Sequence, residues 1–146
     1  FSGHVALNGK YSRASHPNVN DRLLEAVRPG FDRVACWMWG HEHSLAVFED
    51  GLLGVNKPRL VGCSAFEMDD DEDPYSIKFD NVRHRQPEVK LGISNGWYDH
   101  AFTILDIERG EVAASYYSFP SWSEDAPDNP CATPLYKEEI PRVVRR

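Results

Sequence analysis

The sequence is short of several things that would classify it at once. It has three cysteines, Cys36, Cys63 and Cys131, in 146 residues. They are odd in number and far apart, which excludes a disulfide framework and leaves no CxxC metal hook. Such sparse use fits a reducing compartment, so a cytoplasmic location is expected. No apolar run is long enough for a transmembrane helix, and none has the charged start and apolar middle of a signal peptide, so no membrane partner is expected. Basic residues are outnumbered, 16 Lys and Arg against 23 Asp and Glu. The net charge of −7 argues against nucleic acid, because such binding rewards clustered cations. The only basic cluster is the terminal RVVRR. No internal repeat is present.

What is there suffices for one core. Hydrophobic residues make up 41% and aromatics 12% of a chain of single-domain length. Residues 1–17 carry glycine, proline and polar side chains without a sustained period and read as a loop. NVNDRLLEAVRPG predicts a short helix, with Asn18 or Asn20 as cap, Leu23, Leu24 and Val27 as apolar side, and Pro29–Gly30 as stop. DRVACWMW reads as a strand covered on both faces, and Gly40 breaks it. SLAVFE and PRLVGCSAF predict two further strands, with a turn at Asp50–Gly51 between them. Residues 67–74, EMDDDEDP, form an acidic loop. VKLGIS precedes an Asn95–Gly96 turn signal, and HAFTILDIE–RG–EVAASYYSF is the clearest hairpin. Residues 120–146, rich in proline, read as an irregular tail. One helix followed by mainly antiparallel strands indicates a strand-rich α/β or α+β layer structure.

The chemistry concentrates in Gly40-His41-Glu42-His43. Histidine is the commonest metal ligand, and residues i and i+2 of an extended segment share a side. His41 and His43 are therefore candidate ligands of one metal site or of two adjacent metals. Gly40 supports the motif by permitting a sharp turn. A polar turn without metal is the competing reading of the same residues. Other groups have weaker patterns. Asp69, Asp71 and Asp73 read D-x-D-x-D but lack the glycine of a calcium loop. Asp99 beside His100 suggests an acid–base pair or a strand-end histidine bonded to its neighbour. His84, inside RHR, reads as exposed. Cys36 reads as buried and inert, and Trp37 and Trp39 as core.

The segment FDRVACWMWGHEHSLAVFE, a hydrophobic strand running into G-H-x-H, resembles the last signature of the calcineurin-like metallophosphoesterases. Trp39 before the glycine and Glu42 between the histidines look like a bacterial-type variant. The similarity extends over roughly residues 18–120, with residues 40–43 as the specific motif. The resemblance implies the C-terminal half of a four-layer α/β/β/α sandwich, a single partial domain over residues 1–146. His41 and His43 would hold one ion each of a two-metal centre of Mn, Fe, Zn or Mg. Such a centre clamps a phosphate mono- or diester and activates water. Residues 1–17 would be an active-site loop, where His4 and His16 are candidates to touch a substrate phosphate.

The family's D-x-H, G-D-x-x-D and G-N-H-[DE] signatures, and its further isolated histidine, are missing. The chain is accordingly expected to be a piece of a longer protein and inactive alone, needing metal ligands and a packing partner from a missing N-terminal half. Its substrate would be a phosphate-ester small molecule or a phosphoprotein. The alternative is a non-catalytic, β-rich interaction module in which GHEH is a structural turn.

Overall fold

The computed structural model describes residues 21–40, 43–64, 66–75, 88–121 and 131–143. Helix α1, Asp21–Val27, is too short to be stable alone. Leu24, Val27 and Phe31, at i, i+3 and i+7, hold it by packing with Val55, Trp37 and Leu53. The α-helix ends before Pro29, as expected, but the helical path continues. Pro29 lacks an N–H and cannot continue an α ladder, so the chain tightens into a 3₁₀ helix, Arg28–Arg33. That turn takes up Asp32 and Arg33, so the strand predicted from DRVACWMW shrinks to β1, Trp37–Trp39.

β2, Leu45–Val47, and β3, Pro58–Val61, complete the first sheet. Its order is β1-β3-β2, with β1 parallel and β2 antiparallel to β3. Side chains alternate strictly across it. Leu45, Val47, Met38 and Val61 pack into one apolar cluster. Ala46, Phe48, Leu60, Trp37 and Trp39 pack into another on the opposite face, where Trp39 and Phe48 stack at 5.6 Å. Both faces are thus covered, which is why these strands read as apolar runs without a polar side.

A small hairpin joins β4, Ile93–Ser94, to β5, Trp97–Tyr98. The third sheet contains β6, His100–Glu108, β7, Glu111–Phe119, and β8, Thr133–Ile140, antiparallel in that order. Arg109 and Gly110 turn β6 into β7 with φ of 50° and 82°, the backbone of a two-residue hairpin whose twist matches its strands. The Arg142 guanidinium donates to the Gly110 and Arg109 carbonyls and locks this turn. Ala101, Ala114, Tyr116 and Ile140 face the first sheet across the main core. Among the described residues, the protein is strand-rich, with one short α-helix and mixed sheets, and no helix is long and apolar enough to cross a membrane.

One correction concerns residues 120–146. The expected irregular tail contains β8, paired along β7 except at Leu135. Its alternation was masked by proline. Pro134 sits where the register shifts between Tyr116 and Tyr117, a bulge at a sheet edge that tolerates a residue without a ladder N–H. Beyond it, Tyr136, Glu138 and Ile140 lie opposite Tyr116, Ala114 and Val112, on the inward face.

Glu138 meets a buried cation there. Arg59, wholly excluded from solvent, uses every guanidinium N–H. Nε donates to Glu138 Oε1 at 2.6 Å, and Nη2 to Glu138 Oε2 at 2.7 Å and Asp50 Oδ1 at 2.9 Å. Nη1 donates to the Phe48 and Pro58 carbonyls at 3.0 and 2.9 Å. Lys57 Nζ adds a 2.8 Å bond to Glu138 Oε2, and the Tyr116 hydroxyl donates to Glu138 Oε1 at 2.8 Å. Burial pushes the Glu138 carboxyl up, but hydrogen bonds from Arg59, Lys57 and Tyr116 outweigh it and hold it at about 2, down from 4.5.

Removing one partner of such a pair leaves a charge stranded in the core. Glu138→Ala should destabilise the fold by about 3–5 kcal/mol, measured by urea unfolding; a loss below about 1 kcal/mol would contradict the role given to this network. The depressed carboxylate also sets a pH window. Its contribution is present above pH 4.5 and is lost as pH falls from there toward 2. Glu138→Gln should flatten that part of the stability–pH curve, and an unchanged slope would refute it.

Candidate functional site

Parallel pairing of β1 with β3 brings their carboxyl ends to one end of the first sheet. The chain leaves β1 at Trp39 and enters β2 at Leu45, so the turn between them crosses the end of β3. Two contacts fasten it. The Gly62 N–H donates to the Ser44 carbonyl at 3.0 Å. Gly40 lies over the backbone, where an added Cβ would meet the Val61 carbonyl at 3.5 Å and Gly62 Cα at 3.8 Å. Those are ordinary contacts, and Gly40 is not among the positive-φ residues. Glycine is therefore not demanded here by left-handed backbone.

His43 is half-buried in this turn. Its imidazole stacks on Phe66, centroids 5.3 Å apart and planes 18° from parallel. The other predicted ligand, His41, lies outside the described residues, as do Glu42, His4, His16, His84 and the whole expected loop 1–17.

A second histidine reaches the same end of the sheet. His100, buried at the start of β6, places Nδ1 2.8 Å from the Cys63 carbonyl. A carbonyl only accepts, so Nδ1 carries the proton, which leaves Nε2 as the acceptor of the neutral ring. The neighbour expected to pair with it does not, for Asp99 Oδ1 accepts instead from the Ser94 hydroxyl at 2.6 Å. The same Cys63 carbonyl accepts from the Ala101 N–H at 3.4 Å. His100 and His43 thus approach the segment after β3 at its two ends, Cys63 and Phe66. Neither contact has a sequence signal, because each joins residues far apart in the chain.

Burial raises two thiols, Cys63 just after β3 and Cys36 at the opposite end of the sheet, ahead of β1. Burial pushes Cys63 up to about 11 against the backbone hydrogen bonds that favour its thiolate. Burial does the same to Cys36, also to about 11, with Arg59 opposing it; its Sγ–H donates to the Lys57 carbonyl at 3.3 Å. Cys36 is half-buried, just ahead of β1 rather than within it.

Among the described residues, one group of three acids comes close enough to share an ion, Asp69, Asp70 and Asp71, all exposed. It is not the alternating set the sequence suggested. The Asp69 carboxylate already accepts from the Asp71 N–H at 3.1 Å as the cap of a 3₁₀ turn. Asp73 faces away, accepting from the Tyr75 N–H and the Tyr98 hydroxyl. A cleft of about 740 Å³, lined by Asp50, Lys57, Glu111, Glu139 and Arg142, opens at the other end of the sheets, around the start of β3 and the β6–β7 turn.

No protein-family model matches this chain, and no curated protein matches it either.

The thiol environments give a direct test of the local packing. In the folded protein, exposed Cys131 should react with a thiol-specific dye at the rate of a free cysteine. Cys36 and Cys63 should react only as fast as the protein opens. Labelling of all three in one fast phase would show that burial protects neither Cys36, ahead of β1, nor Cys63, after β3.

Proposed function

We propose that this chain is the C-terminal part of a dinuclear-metal phosphoesterase of the calcineurin-like type, with His41 and His43 each supplying a ligand. The observation that carries the reading is the position of the turn. Gly40 and His43 lie at the carboxyl end of a parallel strand pair, on a sheet buried on both faces, where α/β proteins gather their sites. The layer order of α1, first sheet and third sheet is compatible with three layers of an α/β/β/α sandwich.

The donors among the described residues do not amount to a complete centre. At this end of the sheet, among the described residues, no three metal-binding side chains converge. Imidazole pairs suit zinc, whereas magnesium and manganese require carboxylate and water oxygens. In this reading the remaining ligands come from outside this chain, as do the groups that would orient a phosphate-ester small molecule or a phosphoprotein. The cytoplasm remains the compartment that three unpaired thiols favour.

A packing partner follows from the same reading. Ile104, Leu105 and Ile107 of β6 are 50%, 46% and 67% exposed, along the outer strand of the third sheet. Exposed aliphatic edges of this kind are normally covered. The missing half of the domain is the proposed cover. This edge also favours the second reading, a β-rich interaction module in which GHEH is only a turn.

Two measurements separate these readings. This chain alone, supplied with Mn²⁺, should not hydrolyse bis(p-nitrophenyl) phosphate; robust turnover would sink the proposal that ligands are missing. In the intact protein, His41→Ala and His43→Ala should each abolish binding of at least one metal equivalent while leaving thermal stability nearly unchanged. Collapse of folding with metal uptake intact would favour the structural turn.

A further inference from the structure

The main core is unfinished along β6. Ala101, Leu105 and Ile107 lie on the same face of the sheet as Ala114 and Val112, the face that meets the first sheet. Ala101 is fully buried there, yet Leu105 and Ile107 are 46% and 67% exposed. The backbone is open along the same stretch. The two-residue turn makes Glu108 and Glu111 a hydrogen-bonded pair. Ala101, Thr103, Leu105 and Ile107 alternate with such pairs, so their N–H and C=O groups point away from β7. The Ala101 N–H is taken by the Cys63 carbonyl. Among the described residues, Thr103, Leu105 and Ile107 have no such partner, because β6 is the edge of its sheet.

The opposite face of this edge is acidic. Asp106 and Glu108 alternate with the open residues, and Glu108 lies directly across from Glu111. Like charges so placed repel. Arg109, 3.7 Å from Glu108 and 91% exposed, is a weak counterweight. The Arg142 guanidinium is held by the turn carbonyls. We propose that this edge receives an extended strand in which apolar residues alternate with lysine or arginine. Its backbone pairs with Thr103, Leu105 and Ile107, and its apolar side chains cover Leu105 and Ile107. Its cations then fall on the other face, beside Asp106 and Glu108. The inference rests on the reading of a missing half, which is the source of the strand, and states what that half presents here. A second copy of β6 would bring further acids to the same face and is the poorer match.

The test uses this chain with short peptides that alternate valine with lysine or valine with glutamate. The lysine peptide should bind about tenfold or more tightly by fluorescence anisotropy, and high salt should shrink that advantage. Its binding should slow amide exchange at Thr103, Leu105 and Ile107 and leave Ile104 and Asp106, already bonded to β7, unchanged. Asp106→Asn combined with Glu108→Gln should remove the preference without disturbing the fold, since both side chains are exposed. Leu105→Pro, which deletes an N–H on the free side only, should abolish binding. Equal affinities for the two peptides, or binding without protection of the three amides, would overturn the proposal. So would self-association of the chain that protects the same amides, because a second copy would then be the occupant. Metal uptake at His41 and His43 is measured separately in the intact protein and stands or falls on its own.

Discussion

The fold turns on a guanidinium with no water around it. Arg59 stands in the central strand of the first sheet, with its side chain toward the third. An ion in that position is tolerable only if every hydrogen it carries finds an acceptor. Two carbonyls of its own sheet take one nitrogen, and carboxylates take the rest. Glu138 comes from the far end of the chain, and the bidentate geometry fixes angle as well as distance. Apolar packing between the sheets at Leu45, Val47, Ala114 and Tyr116 drives them together. The ion pair selects one alignment among those that packing alone would allow.

Elements whose pattern is local were legible in the sequence. The β6–β7 hairpin was readable because alternation and an Arg-Gly turn lie within twenty contiguous residues, and every pair from His100–Phe119 to Glu108–Glu111 follows. The apolar runs around Gly40 announced strands covered on both faces for the same reason. Arg59 was not legible as a buried charge, because PRLV offers no hint of a carboxylate 79 residues later. Nor was β8, where prolines hid a short alternation that acquires meaning only opposite β7. The candidate site shows the same division. The motif marked His43, but the stack with Phe66 and the tautomer of His100 arise from tertiary contacts.

The two ends of the sheets differ in chemical character. At one end, the charges of Arg59, Lys57, Glu138 and Asp50 are paired, and the Arg142 guanidinium is held by the carbonyls of the β6–β7 turn. At the other, burial raises the Cys63 thiol, and an aromatic ring stands in solvent against an imidazole. Catalytic and binding groups need capacity left over after the fold has been satisfied. Around Arg59 that capacity is spent on cohesion, whereas the His43 end retains it.

The position of Glu138 also bears on where the structural unit stops. A fragment ending at Phe119 would keep the motif, the complete hairpin and most of the apolar core. It would also keep Arg59 and Lys57, with Asp50 as their only carboxylate partner in the described network. The domain boundary therefore lies beyond Ile140. The segment that looks most expendable, a proline-rich stretch remote from the motif, is what makes the interior electrically neutral enough to close.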